Sequence, residues 1–214
     1  MGREKMSSKM KIKRYQLPFL LPDLVSVLGR LGYNKNKTLV EDSLNLSIRE
    51  QLTDSRPYIK PIGISMDIGL VKVEKEFVEI PGGIVFESVK VAEMLKNSDK
   101  ISILVCTIGG QISDEISRLI GIGEMTRGVV LDAIASEAVD GFADYITDVL
   151  KQEKVYSGLK PTMRYSPGYG DFKTDIHKDL LSLLQSDQIG VSCHNSSYVL
   201  KPEKSITAII EWVR

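Results

Sequence analysis

Residues 128–151, GVVLDAIASEAVDGFADYITDVLK, are the stretch from which the rest of the chain is read. Leu131, Ile134, Ala135, Ala138, Phe142, Tyr145, Ile146 and Val149 recur at helical spacing. That periodicity predicts one long helix with an apolar stripe turned to a core. Its other side carries Asp132, Ser136, Asp140, Asp144 and Asp148 at four-residue intervals, which stacks them into one acidic ridge. Upstream, Lys100–Cys106 (KISILVC) is an apolar run of strand length that leads into Thr107-Ile108-Gly109-Gly110, followed by a predicted helix from about Ser113 to Ile120. The Gly109-Gly110 pair lacks both the GxGxxG spacing and the lysine of a phosphate loop, so it reads as the turn into that helix.

Further out, helices are predicted over about 22–31, 38–53, 88–95 and 175–186, the first opened by Pro22-Asp23 and closed by Gly32. Residues 63–78 alternate β-branched with charged side chains and read as extended, and Pro81-Gly82-Gly83 is a turn. Strands follow at 190–193, 197–200 and 205–213, joined by the Lys201–Lys204 turn. Helices and strands come in mixed order, and the last strands have short connections. This predicts an α+β fold with a mixed, mainly antiparallel sheet and one long central helix.

The chain has 214 residues, enough for one sizeable core, and no linker divides it. Residues 15–214 are therefore expected to form a single domain, with 1–14 as a loose basic tail. That tail resembles the start of a signal peptide, but Pro18, Pro22 and Asp23 interrupt the apolar patch behind it. No stretch approaches the ~18 apolar residues of a membrane span. Lys plus Arg equals Asp plus Glu at 28 each, so the basic excess that neutralises nucleic-acid phosphates is missing. Cys106 and Cys193 are too few for a disulfide framework, which fits a cytoplasmic setting. With His177 and His194 they do not make a structural zinc site.

The most unusual local feature is Arg164-Tyr165-Ser166-Pro167-Gly168-Tyr169-Gly170-Asp171. Pro167 fixes one φ, and Gly168 and Gly170 open backbone conformations closed to other residues. Arg164 offers a planar fork of donors to a carboxylate, and the two tyrosines offer flat faces to a conjugated ring. By itself a Pro-Gly turn beside an arginine is more often an ordinary surface connection.

RYSPGYG, followed by a helix and a hairpin, resembles the signature of the activation domain of cobalamin-dependent methionine synthase. Val25–Tyr33 (VSVLGRLGY), Cys106-Thr107-Ile108-Gly109, the long helix from Leu131 to Asp144, and Ile189-Gly190-Val191 with Lys201–Ile206 are similar to further family segments, in the same order. The resemblance implies a domain that holds S-adenosylmethionine over a cobalamin that has drifted to the cob(II) state. A reduced flavodoxin or another donor supplies one electron, and the transient cob(I) takes the sulfonium methyl. The protein's task would be placement, since the cofactors carry the chemistry.

Carried over residue by residue, Arg164 would bind the ligand's carboxylate, and the backbone around Ser166 would meet the adenosyl portion. Gly168 would allow close approach, Tyr169 would line the site, and Asp140 would face the cationic end. The bland alternative leaves Asp140 in a solvated acidic ridge. An aromatic contact beyond the final hairpin of the larger synthase domain, and an acidic contact near its start, have no counterpart placed here. Asp175-Ile176-His177 begins like the Asp-x-His-x-x-Gly cobalamin motif but lacks its glycine, so His177 is expected on a helix surface and cobalamin only on a partner. Cys193-His194 reads as a core thiol beside an exposed imidazole.

The implied role is an accessory protein for a cobalamin-dependent methionine synthase that lacks its own reactivation domain, catalytic only within that complex. The alternative is a non-catalytic interaction module that docks on a corrinoid or methyltransferase protein. An open acidic cleft with Arg164 free to face it favours the first. An Arg164 locked in an internal ion pair beside a filled cleft favours the second.

Overall fold

The computed structural model describes residues 11–33 and 41–214. The chain opens with strand β1 (Ile12–Gln16), followed by helices α1 (Leu24–Arg30) and α2 (Asp42–Ser55). Strands β2 (Ile62–Gly69), β3 (Lys72–Val73), β4 (Phe77–Ile80) and β5 (Ile84–Glu87) lead to α3 (Val89–Leu95). Strand β6 (Lys100–Thr107) precedes α4 (Gln111–Gly121) and the long α5 (Met125–Lys154). The last part holds β7 (Lys160–Pro161), α6 (His177–Leu184), β8 (Ser192–Cys193), β9 (Leu200–Lys201) and β10 (Ser205–Val213). The expected α+β class and the long helix are both present.

The main sheet has five strands in the order β1-β2-β6-β10-β7. Every pair is antiparallel, so the sheet is not mixed. Strands β3–β5 and β8–β9 form two small accessory sheets. The expectation of a loose tail through residue 14 fails at residues 12–14, which belong to β1. Tyr15 anchors this strand, burying its ring and bonding its hydroxyl to Ser65 Oγ at 2.9 Å. Lys13, two residues before Tyr15 and so on the same face of this edge strand, pairs with Glu153 of α5 and with Asp67. Residues 1–10 lie outside the described residues, as do 38–40 at the expected start of α2.

Alternation along the strands splits the core into two layers. On one face, Leu104, Cys106, Ala208 and Ile210 pack against Ile134, Ala138, Phe142 and Ile146 of α5. On the other, Ile64, Ile103, Val105 and Ile209 meet Val91 and Leu95 of α3 and Leu180 and Leu184 of α6. The long helix lies close to the sheet at Gly63, where a Cβ would stand 2.6 Å from Ile146 Cδ1 and 2.9 Å from Cys106 Cβ. Burial of each large α5 side chain contributes roughly 1.5–3 kcal/mol. At its far end Lys154 bonds Asp67 at 2.7 Å and lies over the Trp212 ring, whose Nε1 donates to Ser102 at 2.8 Å. The helix is fixed along its whole length.

Candidate functional site

The ridge that faces away from the core is not bare. Lys204 Nζ donates to Asp132 at 2.7 Å and to Ser136 Oγ at 2.9 Å. Arg30, at the end of α1, donates to Glu137 and Asp140 at 2.5 Å each. Arg164 Nη1 pairs with Asp144 and stands 3.4 Å from Thr147 Oγ1. Three cations from distant segments thus meet one helical row of carboxylates, so the ridge is where neighbouring elements dock on α5.

Beside this row the sheet edge opens. Backbone bonds from Thr162 to Glu211 (3.0 Å) and between Tyr165 and Ile209 (3.0 and 2.9 Å) hold the segment after β7 along β10. Past Tyr165 the chain turns away, and the first residues of β10 lose that neighbour. Tyr169 N–H bonds Ser166 C=O at 3.2 Å, and Gly168 N–H bonds Phe172 C=O at 2.7 Å. Gly168 has φ +95° and Gly170 φ +58°, the left-handed region that favours glycine. A Cβ on Gly170 would lie 2.5 Å from the Tyr165 hydroxyl, which itself donates to Tyr169 C=O at 3.1 Å. Asp171 then ties the loop to the start of α3, accepting from Ser88 Oγ at 2.6 Å and Val89 N–H at 2.7 Å. Hydrogen bonds from Ser88 first, then from Val89 and Lys90 N–H, outweigh desolvation and hold its carboxyl below the usual range.

Between the α5 row, this loop and the start of β10 lies a cleft of about 630 Å³. That lies within the roughly 300–1,000 Å³ of small-molecule sites. Asp140, Arg164, Ser166 and Tyr169 all line it, so four of the five residues singled out from the sequence meet in one place. Gly168 is not part of the wall. Its positive φ shapes the turn, and a Cβ there would meet Thr174 Cγ2 at 3.4 Å. Tyr169 stands at the rim, 67% exposed. Tyr165 stacks on Phe172 with ring centroids 6.2 Å apart, which commits much of its face to the core.

His177 corrects the sequence reading. It is 6% exposed, not on a helix surface, and it lines the cleft. Its Nδ1 is 2.7 Å from the carbonyl oxygen of Tyr198, a residue with a φ of +57°. Burial holds the imidazole below its ordinary pKa, against the opposing pull of the Tyr198 bond and Asp175. Thr207, 2% exposed, also lines the cleft and was not anticipated. The only signal for either was position, in the helix after the glycine turn and in the last strand.

Cys106 is fully buried in the layer beneath α5. Desolvation, only partly offset by Arg164, pushes its thiol up to about 12, so it stays protonated and inert. Cys193 is half-buried, not a core thiol, and His194 is exposed. Among the described residues no three His, Cys, Asp or Glu side chains are grouped to hold a metal ion. No described helix is long and apolar enough to cross a membrane.

The class this defines is an α+β domain with a ligand-sized cleft between its long helix and a glycine-rich turn. No protein-family model matches the sequence, and no curated protein matches it. Among solved structures, the crystal structure of the MetH reactivation domain bound to AdoHcy is similar, with a TM-score of 0.69 at 12% identity. The likeness covers 95% of this chain and 79% of that one. The chain therefore has the fold of the MetH reactivation domain, as the RYSPGYG resemblance implied.

Proposed function

We propose that this chain binds S-adenosylmethionine in the cleft and presents its methyl group to a cobalamin held by a partner methionine synthase that lacks a reactivation domain. The observation that supports this most is the convergence of Arg164, Asp140, Ser166 and Tyr169 on one open cleft in a chain of this fold. Arg164 binds the ligand's carboxylate, for which its fork is suited. Asp140 faces the ammonium and sulfonium, and Ser166 and Tyr169 border the adenosyl half. Cobalamin on the partner, first reduced by one electron from flavodoxin or another donor, would supply the nucleophile that takes the sulfonium methyl and leaves S-adenosylhomocysteine. The residues here bind and orient the donor, the placement term that lowers the barrier by fixing near-attack geometry.

One observation favours the second reading, an interaction module. Arg164 and Asp140 are already paired within the chain, to Asp144 and Arg30. Against it, Asp144 is 69% exposed and the cleft is open, so that pair is easily exchanged for a ligand carboxylate. Calorimetric titration of S-adenosylmethionine and S-adenosylhomocysteine into the wild type and Arg164→Ala decides between them. Saturable binding that the variant loses supports the reactivation role. If neither binds, alone or with a cobalamin-loaded synthase present, the interaction module stands.

A further inference from the structure

The charged side chains of the cleft lie on one wall. Asp140 and Asp144 come from α5, and Arg164 leans on it. The facing residues, His177, Leu200, Ser205, Ile206 and Thr207, carry no fixed charge. On that wall His177 is held in one state. The Tyr198 carbonyl can only accept, so Nδ1 carries a proton, and burial, which disfavours the imidazolium, leaves Nε2 its lone pair near neutral pH. Nε2 has no partner among the described residues. The polar side-chain atoms there that are both sealed and unpaired are Ser113 Oγ and Thr207 Oγ1, so Nε2 is not sealed, and His177 is among the residues that line the cleft.

The backbone next to it also offers groups with no hydrogen-bond partner among the described residues. Ile209 and Glu211 direct their peptide groups outward, to Tyr165 and Thr162. By alternation Thr207 directs its own N–H and C=O the same way, where the loop has already turned off. A neutral acceptor and an open strand edge share one wall, and polar groups buried there are costly unless paired.

We infer that His177 is a binding residue whose Nε2 accepts a hydrogen bond from a neutral donor on the adenosyl half of the ligand, either the exocyclic amino group or a ribose hydroxyl. This rests on the S-adenosylmethionine reading of the cleft. It follows from the segregation of charge: the zwitterionic end belongs with Arg164 and the carboxylates, which leaves the uncharged donors for the opposite wall. His177 then selects an adenosyl group by hydrogen bonding and not by charge.

The test is titration of S-adenosylhomocysteine, its 6-oxo analogue and its 2′- and 3′-deoxy analogues into wild type and His177→Phe. The variant is expected to bind S-adenosylhomocysteine about tenfold more weakly. The one analogue that lacks the donor read by His177 binds both proteins equally. Equal affinity of a folded variant for the parent ligand, or the same loss for every analogue, overturns the inference. A second measurement needs no variant. The chain has two histidines, so ring ¹⁵N spectra resolve His177, and ligand is expected to shift Nε2 while Nδ1 stays protonated. An Nε2 signal unmoved at saturation also overturns it. A wild type that binds none of the ligands overturns the reading of the cleft itself, and is recognised because it precedes any difference between proteins.

Discussion

The two walls of the cleft are built on opposite plans. The α5 wall is a rigid helix whose ionic groups already have partners: Asp132 with Lys204, Asp140 with Arg30, Asp144 with Arg164. The facing wall comes from three short segments, and it carries a neutral imidazole nitrogen and a strand edge without partners. The contrast teaches that charge here serves first to assemble the domain, and on the proposed function only then to meet a ligand. A ligand must displace something on the first wall, whereas on the second it has only to arrive.

The largest effect is expected from removing the support behind the charged wall. Phe142→Ala empties a fully buried position between α5 and the sheet and should cost about 3–5 kcal/mol, read as a lower urea midpoint with an unchanged slope. Next comes Arg164→Ala, which removes the one Lys or Arg among the described residues that lines the cleft. It should weaken S-adenosylhomocysteine binding by about 2 kcal/mol, near thirtyfold, while melting moves little. An unchanged affinity would refute the charged wall as the binding wall.

Gly170→Ala attacks the joint between the walls. Its φ of +58° and the Tyr165 hydroxyl at 2.5 Å from a new Cβ should cost about 1–3 kcal/mol of stability. A melting curve that matches wild type would show that the turn is not held as described. Asp144→Asn probes the same wall more gently. The pair it breaks is exposed and worth about 0–1 kcal/mol, so the ligand's affinity should hold or rise by a few-fold as Arg164 is freed. A loss would mean that Asp144 itself holds the ligand's cation.

A pH series gives the finest test of the neutral wall. Because burial depresses the His177 pKa, the unfolded chain binds more protons there as pH falls through the unfolded value near 6.5. This contribution to stability is fully present above that value and fades below it. In His177→Gln the corresponding slope should be absent. If both proteins show the same slope between pH 7 and 5, the depression is not real.

Much of the charged wall was legible. Asp140 and Asp144 fall on a helix with clear period, and Arg164 opens a motif with two glycines that the left-handed turn requires. What was illegible there was the pairing, since nothing local announces that Arg30 and Lys204 come back to one ridge. The neutral wall was misread because burial of His177 is decided by Tyr198, in a loop with a positive φ and no glycine. Strand β1 was missed because its exposed side chains are basic and its apolar alternation is weak. Strand β7 is too short to leave a pattern at all.

The place of β10 in the sheet has a consequence for biosynthesis. Residues 205–213 emerge last of the elements described, yet they lie between β6 and β7, and their first half forms the floor of the cleft. A nascent chain that already displays β6 therefore waits with an unzipped apolar seam until this segment leaves the ribosome. On the proposed function, ligand recognition begins only at that moment, and a nascent chain stalled before residue 205 should draw chaperones and no nucleoside.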